Sequence, residues 1–118
     1  MLGGIHHVSI NVDDAATCSR FYAEVLGLRQ IDRPDFGFPG AWFEAANGVQ
    51  VHLIQIEGWV APKGQHFAFA VDDVEAAVAQ LRGRGVQVGD PVPIPGAGRQ
   101  AFLDDPAGNR LELNQSSV

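Results

Sequence analysis

Four side chains in this sequence could hold a divalent metal ion, and their placement repeats. His7 opens the run H-V-S-I-N-V-D-D, and His66 opens H-F-A-F-A-V-D-D. His52 sits in N-G-V-Q-V-H-L, and Glu112 takes the matching place in A-G-N-R-L-E-L. Nearly the same length of chain separates the members of each pair. The sequence therefore reads as an internal duplication, with two metal-competent side chains at matching positions in each half. Imidazole and carboxylate suit zinc, nickel, manganese, cobalt or ferrous iron. Such a ligand set leaves room on a five- or six-coordinate ion. A substrate with two adjacent oxygens can fill that room, with the ion as Lewis acid on a developing enediolate.

The elements that must position these residues follow from periodicity. Ile5 to Val12 alternates and is rich in β-branched residues, so it reads as a strand. Asp13 and Asp14 stop it and offer a helix N-cap. Cys18, Phe21, Tyr22, Val25 and Leu26 recur at helical spacing up to Gly27. A short strand is expected over Leu28 to Ile31, then a Pro- and Gly-punctuated loop over Asp32 to Gly40. Ala41 to Ala46 and Val49 to Glu57 read as strands joined by a turn at Asn47-Gly48. After a linker at 58–64 the order repeats. Gln65 to Val71 is a strand, and Asp72 with Glu75 forms a capping box. Val74, Ala77, Val78 and Leu81 mark the buried face of a second helix. Val86 to Val88 reads as a strand and G-D-P-V-P-I-P-G-A-G as a loop. Arg99 to Leu103 and Asn109 to Asn114 are the closing strands. The expected fold is α+β: two tandem βαβββ modules, at 3–57 and 65–115, forming a curled mixed sheet around a metal site in a single 1–118 domain.

Alternation then assigns faces. His7, Ser9 and Asn11 share one face of the first strand, opposite Val8, Ile10 and Val12. His66, Ala68 and Ala70 share a face of the fifth. Glu112 and Asn114 oppose Leu111 and Leu113, and His52 opposes Val51 and Leu53. Each candidate ligand thus lies on the less apolar face of its strand, while the helices pack the other. Ser9, Asn11, Trp42, Glu44, Gln100, Phe102 and Asn114 are expected to line a substrate pocket, with Trp42 and Phe102 as matching apolar walls. His6 falls on the helix-packed face and is read as a non-ligand. Arg99 and Arg110 are read as solvated surface residues.

Composition bounds the partners. A formal charge of −6 with no polybasic run argues against nucleic acid or an anionic membrane. No apolar stretch is long enough to span a bilayer, and the N-terminus lacks a signal-peptide pattern. A cytoplasmic protein acting on a small molecule is expected. Cys18 is the single cysteine and lies on a helical apolar stripe, so it reads as core.

The βαβββ order, the four positions and the ending D-D-P-A-G-N-R-L-E-L resemble the vicinal oxygen chelate superfamily. This is the glyoxalase, bleomycin-resistance and extradiol dioxygenase family, and the resemblance spans essentially the whole chain. It implies that His7, His52, His66 and Glu112 are metal ligands and that Glu112 also serves as general base. It implies a homodimer and a metal-dependent lyase or isomerase of the glyoxalase I type, acting on a hemithioacetal with a small thiol as cosubstrate. Two alternatives stand beside it: a resistance protein that binds an antibiotic intact, and a thiol transferase acting on an antibiotic epoxide. Phe102 stands where ring-cleaving members carry Tyr, and no histidine follows His66, so dioxygenase chemistry is disfavoured. His52 stands where glyoxalase I enzymes usually carry Glu, which makes the site more positive by one charge.

Overall fold

The computed structural model describes residues 1–117. The chain divides into two compact units, Met1–Val60 and Ala61–Val118. In the first, β1 (His7–Val12) leads into α1 (Ala15–Arg20), followed by β2 (Arg29–Ile31), β3 (Gly40–Glu44) and β4 (Gln50–Gln55). Their sheet order is β1-β4-β3-β2, with β1 parallel to β4 and the other pairs antiparallel. In the second, β5 (His66–Ala70), α2 (Val74–Gly83), β6 (Val92–Ile94), β7 (Gly98–Asp104) and β8 (Arg110–Gln115) repeat the plan. The order β5-β8-β7-β6 again carries one parallel pair, β5 with β8.

Each unit builds its own core on the apolar sheet face. Val12, Cys18, Tyr22, Phe43, Val51 and Leu53 are buried in the first, and the Tyr22 and Phe43 rings lie 5.8 Å apart. Val74, Val78 and Leu81 of α2 meet the level of Ala101, Leu103, Leu111 and Leu113 in the second. Their spacing along α2 makes one stripe, which is why this segment is helical and packs against β7 and β8. Burying a side chain such as Leu111 is worth about 1.5–3 kcal/mol.

Both helices start on a double cap. The Asp14 carboxylate accepts from Thr17 N–H at 3.1 Å, and Gln55 Oε1 at the end of β4 accepts from Ala15 N–H at 2.9 Å. In the second unit Asp73 accepts from Ala76 N–H at 3.1 Å and Gln115 Oε1 from Val74 N–H at 2.9 Å. Orphan N–H groups are thereby satisfied twice at each helix start. The same bonds tie each helix to the strand that carries His52 or Glu112.

Four local expectations are corrected. The second helix is capped by Asp73 rather than by Asp72, because the helix begins at Val74. Glu75 then sits too early in the turn to reach back, and it pairs with Arg99 instead. The first helix does not run on as a regular α-helix. Phe21–Val25 is a π turn, in which Leu26 N–H reaches Phe21 C=O, and Gly27 at φ 75° ends it. Val86 to Val88 is not a strand, because Arg82 takes the Val88 carbonyl from Nε at 3.2 Å and from a terminal nitrogen at 2.6 Å. The strand lies instead within the Pro-rich segment read as a loop, at Val92–Ile94. Pro93 is tolerated there because β6 is an edge strand.

Candidate metal centre

The sheet register sets the donors. In the first unit Ser9 lies opposite His52 on the neighbouring parallel strand, and Trp42 lies opposite it across the antiparallel pair. In the second, Ala68 and Phe102 lie opposite Glu112 in the same way. The two modules therefore place His52 and Glu112 at equivalent points of equivalent sheets. Both are buried, at 8 % and 6 % exposure, although they lie on the face away from the helix.

In the second unit His66 Nε2 is 3.1 Å from Glu112 Oε1. His66 Nδ1 is 2.9 Å from the Gly64 carbonyl, which only accepts, so Nδ1 carries a hydrogen. A neutral His66 therefore turns a bare lone pair on Nε2 toward a carboxylate. Two electron-pair donors in this arrangement call for a cation between them, either a proton or a metal ion. Donor atoms sharing one zinc ion at usual bond lengths lie about 3.0–3.4 Å apart, so the pair fits a divalent ion. Asn114 Nδ2 donates to Glu112 Oε2 at 2.8 Å and to the Ala97 carbonyl at 2.9 Å. That leaves Oε1 as the oxygen turned to His66.

The first unit brings His7 and His52 together as stacked rings, with centroids 4.1 Å apart. Trp42 stacks on the other face of His52 at 4.2 Å, inclined by 8°. His52 Nε2 is 2.8 Å from Gln50 Oε1. Burial lowers the His52 pKa below its usual 6.5, and His7, His6 and Arg33 lower it further by repulsion. A neutral imidazole is the form that binds a metal. His6, expected on the helix-packed face, is exposed, and its Nδ1 is 2.9 Å from His7 Nδ1. One of the two donates and the other accepts. Alternation missed this contact because the strand begins only at His7 and does not constrain the residue before it.

Each unit thus brings two of the four expected ligands side by side, but the stack of His7 on His52, inclined by 14°, keeps their in-plane lone pairs from meeting at one point. Among the described residues no three or more His, Cys, Asp or Glu side chains form a metal-holding group. Of the expected pocket residues, Ser9 is exposed and Asn11 half-buried on β1, and Trp42 covers His52. Glu44 is ion-paired with Arg29. Gln100 donates to the Ala97 carbonyl at 3.4 Å. Phe102 meets His66 edge-on at 5.4 Å, and the Arg110 guanidinium lies 4.4 Å above its ring. A cavity of about 690 Å³ in the second unit is walled by Val92, Ile94, Gln100, Phe102 and Arg110 among others. Neither His66 nor Glu112 is in its walls, although Phe102, which meets His66, is. No helix among the described residues is long and apolar enough to cross a membrane.

Two βαβββ units with paired donors on matching strands define a class, and sequence comparison agrees. The pattern of the Glyoxalase/Bleomycin resistance protein/Dioxygenase superfamily matches residues 4–113, and the chain belongs to that family. A lactoylglutathione lyase from Haemophilus influenzae is 28% identical, over 92% of this chain and 90% of its own length. The solved structure of TnmS3, an antibiotic binding protein from Streptomyces sp. CB03234, is 29% identical with a TM-score of 0.85, covering 98% of both chains. That of a lactoylglutathione lyase from Agrobacterium tumefaciens, at 21% identity, shares the fold with a TM-score of 0.79 over 98% of this chain and 95% of its own.

Proposed function

We propose that this protein is a divalent-metal-dependent lyase of the glyoxalase I type, converting the hemithioacetal of a small 2-oxoaldehyde and a thiol into a thioester. The observation that carries this reading is the His66–Glu112 pair, whose facing lone pairs call for a cation. His7, His52, His66 and Glu112 are the ligands this reading requires. When bound, the ion polarises neighbouring substrate oxygens and makes the adjacent C–H bond more acidic. Glu112 removes the proton from the carbinol carbon and delivers it to the neighbouring carbonyl carbon, while the carbinol hydroxyl proton passes to the carbonyl oxygen, so the reaction is an isomerisation with no net loss of atoms. Asn114 holds the second carboxylate oxygen, which keeps Glu112 aimed during the transfer. Trp42 beside His52 and Phe102 beside His66 each supply an apolar wall next to a donor of their own unit.

A homodimer of two-fold symmetry is part of this reading, since paired copies are the commonest assembly for such chains. Sedimentation at micromolar concentration tests it, and a monomer refutes it. The catalytic reading is tested with protein reconstituted separately with zinc, nickel, cobalt or manganese, then given methylglyoxal and glutathione. Thioester formation supports it, and its absence with all four ions removes it.

One observation favours a second reading. The relation to TnmS3 spans nearly the whole of both chains, and that protein is named for binding an antibiotic. Tight uptake of an intact drug without turnover would favour sequestration over catalysis.

A further inference from the structure

Arg33 carries a charge that the first unit fixes in place and does not neutralise. It lies in the loop between β2 and β3. Its guanidinium carbon is 4.9 Å from the centre of the Phe36 ring and 5.0 Å from that of Phe38. A terminal nitrogen donates to the Phe38 carbonyl at 3.1 Å. A Cβ at Gly40 would come within 2.9 Å of the guanidinium carbon and of Nε, so the group rests against bare backbone at the start of β3. These contacts hold the side chain half-buried, and none of them supplies a negative charge. Arg29, Arg82 and Arg99 each meet a carboxylate, at Glu44, Asp90 and Glu75. No acidic side chain among the described residues stands within ion-pair distance of Arg33. Asp32 and Asp35 share its loop, but Asp35 accepts from Gly37 N–H at 2.8 Å instead.

The rings around this charge are open to a ligand as well. Phe36 and Phe38 stack on each other at 5.8 Å, inclined by 22°, yet remain 50 % and 44 % exposed. Phe36 is 6.0 Å from Trp42, so the aromatic surface continues from the loop onto β3. We propose that Arg33, Phe36 and Phe38 form a binding site for a flat aromatic carboxylate. Arg33 takes the carboxylate, and the exposed rings take the aromatic body. A planar guanidinium presents N–H groups side by side and matches the two oxygens of a carboxylate. The phenylalanine rings favour a flat apolar partner in offset or edge-on contact. An inorganic anion would answer the charge and leave both rings wet. A neutral aromatic molecule would cover the rings and leave the charge unanswered. Only a molecule with both features satisfies the whole surface. The site lies within the first unit and requires no metal ion, so it goes beyond the catalytic reading and does not depend on it.

The test titrates the full, metal-free chain with 2-naphthoate and with neutral 2-naphthamide, in a calorimeter and by ¹H–¹⁵N spectra of the labelled protein. The expected result is binding of 2-naphthoate with the largest shifts at Arg33, Phe36 and Phe38. The amide should bind about 10–100-fold more weakly, as befits loss of a charge-assisted hydrogen-bonded pair. Arg33→Gln should weaken 2-naphthoate by a similar factor and leave the amide unchanged. Phe36→Leu should weaken both ligands. Equal affinity of the wild-type protein for the acid and the amide overturns the inference, even if no variant folds. Shifts confined to the second unit overturn it too, since they would assign the carboxylate to another site. Failure of the wild-type protein to bind 2-naphthoate, whether because the rings are covered by a second copy or because the site is too weak, overturns it as well. None of these results bears on metal uptake, which is measured separately.

Discussion

His66 turns Nε2 toward Glu112 Oε1 at 3.1 Å while its Nδ1 is committed to the Gly64 carbonyl. This relationship makes His66 a donor of fixed orientation. It also leaves Glu112, buried at 6 % exposure, dependent on a cation for its stability.

Glu112→Gln keeps the shape of the side chain and removes its charge. Divalent-ion affinity should fall, and thioester formation should drop by about 10²–10⁴-fold with loss of the general base. Calorimetric metal titration and a thioester assay on the same sample check both. Full activity in the variant would exclude Glu112 as the base.

His52 should make the metal-free protein acid-sensitive in a defined direction. Its folded-state pKa lies below the usual 6.5, with burial as the main cause. Between the folded and unfolded values the unfolded chain binds more protons, so stability rises with pH there. The contribution is complete above 6.5 and is lost as pH falls below it. Urea unfolding from pH 5 to 8 should show this slope in the wild type and a smaller one in His52→Asn.

Gln115→Met should remove a cap acceptor from α2 at modest cost in volume. Loss of the bond to Val74 N–H should lower stability by about 0.5–2 kcal/mol, read from the urea midpoint. The matching change Gln55→Met should cost a similar amount through Ala15 N–H. No loss in either variant would mean that the Asp caps suffice.

Gly98→Ala should be more damaging than its size implies. Gly98 has φ 80°, and an added Cβ would meet the Gln115 carbonyl oxygen at 2.3 Å. Backbone strain alone costs about 1–2 kcal/mol, and the clash adds to it by pushing β7 from β8. A wild-type urea midpoint would contradict this account.

Much of the fold could be read from residues because the duplication tested each element against its counterpart. The faces of β1, β4, β5 and β8 followed from alternation, while it was the duplication that put His7 with His52 in one half and His66 with Glu112 in the other. What escaped depended on contacts distant in sequence or on backbone detail. Gln55 and Gln115 look like ordinary strand ends until the helix start is seen beside them. The π turn at Phe21–Val25 keeps apolar residues on nearly the same face as an α-helix, so periodicity did not register it. The strand at Val92–Ile94 was hidden by its prolines, which mark loops except at a sheet edge.

The double caps also preserve a history. Asp14 and Asp73 are the same residue in the same job, as are Gln55 and Gln115. Gln50 has become Arg110 or the reverse, and His52 answers to Glu112. After the ancestral module was copied, the fastenings between helix and sheet stayed alike in the two descendants, while the residues facing the chemistry drifted apart. Joinery and trade were thus inherited under different rules, and a hybrid that exchanges only the facing residues between halves would inherit sound fastenings on both sides.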